Sequence, residues 1–212
     1  VSEEDVEFAN RDKLFELTNE IEREIQTLAD SFRLGNAIKS GIPVAIIGET
    51  NAGKSTLLNL LLNEEKAIVS DIHGTTRDAI EDTMNMGGVT FRFIDTAGIR
   101  QTSDAIETMG IERTFRKIEQ ASIILWMIDL TTPREQIEAL ATSILPALQG
   151  KQVILLFNKA DLISGEVRIE FEMLFPELEA DRLFISAKQR QNIDKLQELL
   201  SKAAAIPSIG EE

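Results

Sequence analysis

The chain has 212 residues, 43% hydrophobic and 27% charged, with 12 Gly, 5 Pro and no low-complexity tract, a composition that excludes disorder as the main story. Twenty-two Lys and Arg against 36 Asp and Glu give a net charge of −14, so the average surface repels a phosphate backbone; zero Cys excludes disulfides, thiolate zinc sites and a Cys nucleophile. No apolar stretch reaches the ~20 residues that cross a bilayer, and the acidic start Val1-Ser2-Glu3-Glu4-Asp5 is unlike a signal peptide, so a cytoplasmic protein, or a piece of one, is expected.

From the N-terminus, apolar residues recur at Leu14, Leu17, Ile21, Ile25, Leu28 and Phe32 with charges between them. Steps of three and four predict one stripe of a long amphipathic helix, ending near Ser40-Gly41. Short β-type runs then alternate with helical stretches: Val44 to Ile47, Val89 to Ile94, Ile123 to Ile128, Val153 to Phe157 and Leu183 to Ile185. That alternation predicts an α/β fold with a mostly parallel sheet and helices on both faces. Met84-Asn85-Met86-Gly87-Gly88-Val89-Thr90 reads as strand, tight turn and strand, which adds one antiparallel edge strand. A last helix over about Asn192 to Ala204 carries Ile193, Leu196, Leu199 and Leu200 on one face, and Pro207 follows it.

Gly48-Glu49-Thr50-Asn51-Ala52-Gly53-Lys54-Ser55 fits G-x-x-x-x-G-K-[ST] between the first β-run and the helical run Leu57 to Leu62. Backbone N–H groups from Asn51 to Thr56 can bind phosphate oxygens there, with Lys54 as a point charge at the β/γ-phosphates and the Ser55 hydroxyl as a Mg²⁺ ligand. Asp95-Thr96-Ala97-Gly98 follows the run ending at Ile94, so Asp95 can hold Mg²⁺ through water and the Gly98 N–H can face a γ-phosphate. Asn158-Lys159-Ala160-Asp161 ends another run; Asp161 can accept from guanine N1–H and the N2 amine, a donor pair that adenine lacks. Ser186-Ala187-Lys188 follows the last run and can offer a backbone N–H to guanine O6.

Gly74-Thr75-Thr76-Arg77-Asp78 lies where a switch loop belongs, and Thr76 can ligate Mg²⁺ when a γ-phosphate is present. The residue after D-x-x-G is Ile99, where many small GTPases carry a water-orienting Gln. An aliphatic side chain cannot polarise water. Arg100, Asp104 and Glu107 are the nearby polar candidates for a catalytic role, or else are surface charges of a switch loop.

Through Asn51 to Ser55, Gly74 to Asp78, Asp95 to Arg100, Ile106-Glu107, Gly110 to Arg113, Asn158 to Asp161 and Ser186 to Lys188, the sequence resembles the MnmE (TrmE) family of tRNA-modification GTPases. The resemblance implies a Ras-like P-loop GTPase fold with a helical-domain segment at 1–40, a GTP-binding G domain at 41–206 and a tail at 207–212. It implies K⁺-stimulated hydrolysis of GTP to GDP, G domains that pair across their switch faces, and a MnmG-like partner in modifying the wobble uridine of tRNA. Asn51 matches the family's K⁺-binding Asn, the carbonyls of Ser70 and Ile72 match the loop that closes over the ion, and Glu107 matches the water-orienting Glu. The family's folate-binding domain and Cys-containing tail have no match, so folate binding and alkyl transfer are expected outside this chain. Two other readings remain open: a ribosome-assembly GTPase of the Era/Der group, and a scaffold that binds GTP without hydrolysing it.

Overall fold

The structure is a computed structural model that describes residues 11–68, 82–86, 88–100 and 107–204. The chain divides into two units, Val1–Lys39 and Ser40–Glu212. The first holds α1 (Arg11–Ser40), whose residues Leu14, Leu17, Ile21, Ile25 and Leu28 are all exposed by half or more of their surface. Phe32, expected on the same stripe, has a side chain outside the described set.

In the second unit the elements run β1 (Ile42–Gly48), α2 (Lys54–Ile68), β2 (Asp82–Met86), β3 (Val89–Phe93), α3 (Thr96–Arg100) and α4 (Glu107–Gln120). They continue as β4 (Ile123–Asp129), α5 (Arg134–Ile144), β5 (Gln152–Asn158), α6 (Gly165–Glu172), β6 (Ala180–Phe184) and α7 (Ile193–Ala204), with one-turn 3₁₀ segments at Leu145–Leu148 and Ala160–Leu162. The six strands form one sheet in the order β2-β3-β1-β4-β5-β6. All neighbours are parallel except β2 and β3, so the expected antiparallel edge strand is present.

Local sequence explains these positions. Every residue of β4 is buried, as a central parallel strand covered on both faces must be. In β2 only Met84 is buried, between exposed Thr83 and Asn85, the alternation of an edge strand with one wet face. On one face of the sheet Ala45, Ile47, Ile124, Trp126, Ile128, Leu155 and Phe157 join Ile118 of α4, Ile137 of α5 and Phe171 of α6 in a single apolar core. The alternate residues Val44, Ile46, Leu125, Met127, Ile154 and Leu156 are equally buried, so the other face is covered too.

Trp126 stacks on Phe175 at 5.2 Å between ring centroids, the sheet position its sequence neighbours indicated. Phe157 is fully buried, stacked on Phe184 at 4.8 Å and edge-on to Phe171 at 6.2 Å. Phe157→Ala therefore removes a fully buried ring packed on two others and should lower stability by about 3–5 kcal/mol. Urea unfolding followed by the fluorescence of Trp126, the single tryptophan, measures it; a loss below about 1 kcal/mol would mean that the site collapses around the smaller side chain.

Candidate functional site

Parallel strands leave all their carboxyl ends on one side, and β1, β3, β4 and β5 each deliver a polar turn there. The first turn is the most constrained. Gly48 has φ +141°, and a Cβ there would lie 2.2 Å from the Met127 carbonyl oxygen of neighbouring β4. Gly53 has φ +100°, and a Cβ would lie 2.3 Å from Asn158 Nδ2. Asn51 also takes a left-handed conformation, at φ +65°. The loop thus closes tightly over the sheet edge, and the Leu57 N–H donating to the Gly53 carbonyl at 2.9 Å starts the helix behind it.

Lys54 is turned back into this loop, donating from Nζ to the carbonyls of Gly48, at 2.8 Å, and Glu49. Burial, and then the charge of Lys117, push its pKa down to about 8, only partly offset by Glu49. A cation destabilised in this way, in a loop of backbone donors, is suited to an anionic ligand.

Asn158 joins three turns. The residue is 4% exposed; Nδ2 donates to the Ala52 carbonyl at 2.7 Å, and Oδ1 accepts from the Ala187 N–H at 3.0 Å. The phosphate loop, the turn after β5 and the turn after β6 are therefore locked to one amide group. The Ala187 N–H, one of the groups expected to be offered to guanine O6, donates to Asn158 Oδ1 in this structure. Ser186 is buried, exchanges backbone hydrogen bonds with Gln191 and accepts from the Gln189 N–H at Oγ, while Lys188 is exposed. Asp161 sits exposed in the 3₁₀ turn that follows Lys159, and Lys159 leaves β5 at φ +65° with its ammonium on Asp129 Oδ2.

At the end of β3, Asp95 takes φ +48° and its carboxylate faces Lys117 Nζ at 3.3 Å and Arg113 at 3.8 Å, both from α4. The Ser55 hydroxyl donates to the carbonyl of Ile99, whose side chain is buried within the short helix α3. Among the described residues no group of three or more His, Cys, Asp or Glu could hold a metal on its own. A hydroxyl and one carboxylate that already attracts cations nevertheless fit Mg²⁺, which takes few protein oxygens and completes its shell with phosphate and water.

Of the residues read from sequence, Asn51 to Gly53, Asp95, Lys159, Asp161 and Ser186 to Lys188 lie in turns at this end of the sheet, while Lys54 to Thr56 open α2, Gly98 is in α3 and Asn158 ends β5. Thr76, Ser70 and Ile72 lie outside the described residues, as do Arg77 and Asp104. Glu107 opens α4, and only its backbone is described. Sequence reasoning missed Asp129 and Lys117. A signal for Asp129 existed: it is an acid ending a wholly apolar strand, where ligands of parallel sheets gather. Lys117 carried none, since its meeting with Asp95 depends on how α4 packs.

The Lys54 value sets a pH dependence. Folded Lys54 titrates near 8 against an ordinary 10.5, so between those pH values the unfolded chain binds a proton that the folded chain has lost. Stability of the nucleotide-free protein should then rise with pH across that window. Thermal unfolding of the parent and of Lys54→Met from pH 7.5 to 10.5 tests this: the parent should gain relative to the variant, and parallel curves would refute the assignment.

Comparison with known proteins agrees with this geometry. A family model described as "50S ribosome-binding GTPase" matches residues 43–159. A tRNA modification GTPase MnmE of Phocaeicola vulgatus is 62% identical over 208 residues, covering 98% of this chain and 42% of its own length. The protein of the same description from Bacteroides thetaiotaomicron is 60% identical over 211 residues, with 98% and 45% covered. The chain thus spans less than half the length of these curated relatives. Among solved structures, a variant of Aquifex aeolicus Era bound to GDP and AlF₄⁻ aligns with TM-score 0.56 and 31% identity, over 80% of this chain and 57% of that one. With a P-loop, a D-x-x-G turn and an Asn-Lys-x-Asp turn gathered at one sheet edge, the chain belongs to the P-loop GTPase family whose model spans residues 43–159, and is similar over nearly its whole length to tRNA modification GTPases MnmE.

Proposed function

We propose that this chain is the GTP-hydrolysing region of an MnmE-type tRNA-modification GTPase: a G domain over 41–206 preceded by a helical-domain segment at 1–40. The observation that carries the reading is the Asn158 amide, which holds the phosphate loop and both base-side turns in one frame and so couples phosphate binding to base reading. In that frame the loop amides from Asn51 to Thr56 and the Lys54 ammonium hold the phosphates, while the Asp161 carboxylate accepts from guanine N1–H and the N2 amine. Ser55, Asp95 and Thr76 would hold Mg²⁺, which supplies positive charge at the phosphates. Asn51 and the carbonyls of Ser70 and Ile72 would hold K⁺, which supplies the charge that an arginine finger provides elsewhere.

Ile99 is buried and cannot orient water, and we assign that role to Glu107, at the start of α4, because it matches the family's water-orienting Glu. Pairing of two G domains would make hydrolysis depend on protein concentration. The MnmG-like partner and tRNA would be engaged mainly by parts of the longer protein, in keeping with a net charge of −14 on this chain. The exposed apolar stripe of α1 supports its place in a helical domain. No helix among the described residues is long and apolar enough to cross a membrane, and we place the protein in the cytoplasm. A ribosome-assembly role of the Era type is less favoured, because the Era structure is 31% identical against 62% for an MnmE.

GTP turnover in KCl against NaCl at equal ionic strength tests the reading. K⁺ should stimulate the parent, and Asn51→Ala should abolish the stimulation with GDP affinity nearly intact; equal rates in both salts would overturn the potassium assignment. Glu107→Ala should slow single-turnover hydrolysis ~10²-fold while analogue affinity holds, and a rate within about threefold of the parent would return Asp104 or a partner group as the candidate.

Base reading is tested separately. Asp161→Asn should lose GTP binding and gain XTP, since the amide offers a donor to the carbonyl that xanthine carries at that edge. Competition binding with both nucleotides measures the exchange. Unchanged preference for GTP would remove Asn158–Asp161 from base recognition.

A further inference from the structure

Asp129 is the last residue of β4, 7% exposed, directly paired in register with Asn158 at the end of β5. Its Oδ1 accepts from the Thr131 N–H at 2.9 Å and from Thr131 Oγ1 at 2.7 Å, which fixes the plane of the carboxylate from its own chain. The backbone around it is fixed as well, by the Leu130 N–H on the Asn158 carbonyl at 3.2 Å and the Thr132 N–H on the Asp129 carbonyl at 3.0 Å. The remaining oxygen, Oδ2, faces the Lys159 ammonium. Lys159 has a left-handed backbone, with φ +65° and ψ +33°, so its side chain leaves the turn in a direction that ordinary strand geometry would not give. Four rotatable bonds would leave the free lysine in many conformers.

We propose that Asp129 is a positioning residue for guanine-nucleotide binding: it anchors the Lys159 ammonium across the ends of β4 and β5, so that the lysine stem and the Asn158–Asp161 turn stand in their binding conformation before the nucleotide arrives. The inference rests on the assignment of Asn158–Asp161 to base reading. Its energetic basis is preorganisation, since side-chain freedom removed in the free protein is not lost again on binding. Burial by itself pushes the Asp129 carboxyl up, but the hydrogen bonds from Lys159 and Thr131 outweigh it and hold the group below the ordinary carboxylate value of 3.8. The anchor is therefore charged at neutral pH. A purely structural role, bracing the turn after β4 through Thr131, would use the same hydrogen bonds but not the charge on Lys159.

Asp129→Asn separates the two roles, because the amide oxygen can still accept from Thr131 while the anionic partner of Lys159 is lost. The measurement is dissociation of a fluorescent GDP analogue from the parent, Asp129→Asn, Lys159→Ala and the double variant, with thermal midpoints alongside. Asp129→Asn should release the analogue ~10-fold faster, Lys159→Ala at least as fast, and the double variant no faster than Lys159→Ala alone, the non-additivity of residues acting through one contact. Release from Asp129→Asn within about twofold of the parent, or single effects that multiply in the double variant, would overturn the proposal. Should Asp129→Asn fail to fold, Asp129→Glu and Asp129→Gln carry the same test. The charged variant should then release GDP more slowly than its neutral isostere, and equal rates would overturn the proposal. Asp161→Asn run in parallel keeps the failures apart: if it shifts preference to xanthine while Asp129→Asn is silent, only the anchor is wrong, and if it leaves guanine preference unchanged, the base-reading assignment fails and the proposal with it.

Discussion

A single buried carboxamide holds the candidate site together. Asn158 donates to the phosphate loop and accepts from the turn after β6, so each side of the amide is satisfied by a different segment. Buried polar groups must be paired, and the loss of either bond would leave an orphan. The close approach that this bond requires explains Gly53, since any side chain there would collide with Asn158 Nδ2. The requirement at Gly48 comes from the other neighbour, the Met127 carbonyl of β4. The glycines of the phosphate loop thus answer first to the sheet edge on which they rest.

Around that frame an acidic protein concentrates cations. Lys54 is held by backbone carbonyls, Lys117 by Asp95, and Lys159 by Asp129. The three differ in what holds them, and the difference tracks their chemistry. Lys159 is fixed by a buried anion. Lys117 shares a carboxylate that Mg²⁺ would also seek, which ties α4 to the metal position through one acid. Lys54 rests on neutral dipoles, and burial pushes its pKa down, so it gains from a phosphate. The net charge of −14 does not oppose this, because charges farther away than about 10 Å are largely screened while Lys54 and the loop amides act at contact distance.

Much of this was legible in the residues. A continuous apolar run of strand length such as Ile123 to Ile128 reads as a strand buried on both faces, and Gly-Gly between two short β-type runs reads as a hairpin linking antiparallel neighbours, so the mixed sheet followed from local pattern. The phosphate loop was legible for the same reason: glycine at the first and sixth positions, with Lys and Ser after, is chemistry written in consecutive residues. Ile99 was legible as a residue unable to orient water, but not as the residue whose carbonyl receives the Ser55 hydroxyl.

The sequence by itself determined the order of the strands along the chain, the first and last helices, the polar motifs that follow the strands, and the family to which those motifs belong. Only the tertiary structure decided which turns touch. Ala52 and Asn158 are 106 residues apart, and Asp129 and Lys159 are 30 apart, yet each pair meets because β1, β4 and β5 lie side by side. Strand order arises from how helices cover both faces of the sheet, a property of the whole chain, whereas periodicity and motif spacing are properties of neighbours along it. For that reason Lys117, unremarkable where it stands in sequence, and Asp129, marked there only as an acid ending an apolar run, became part of the site when the fold brought them to Asp95 and Lys159.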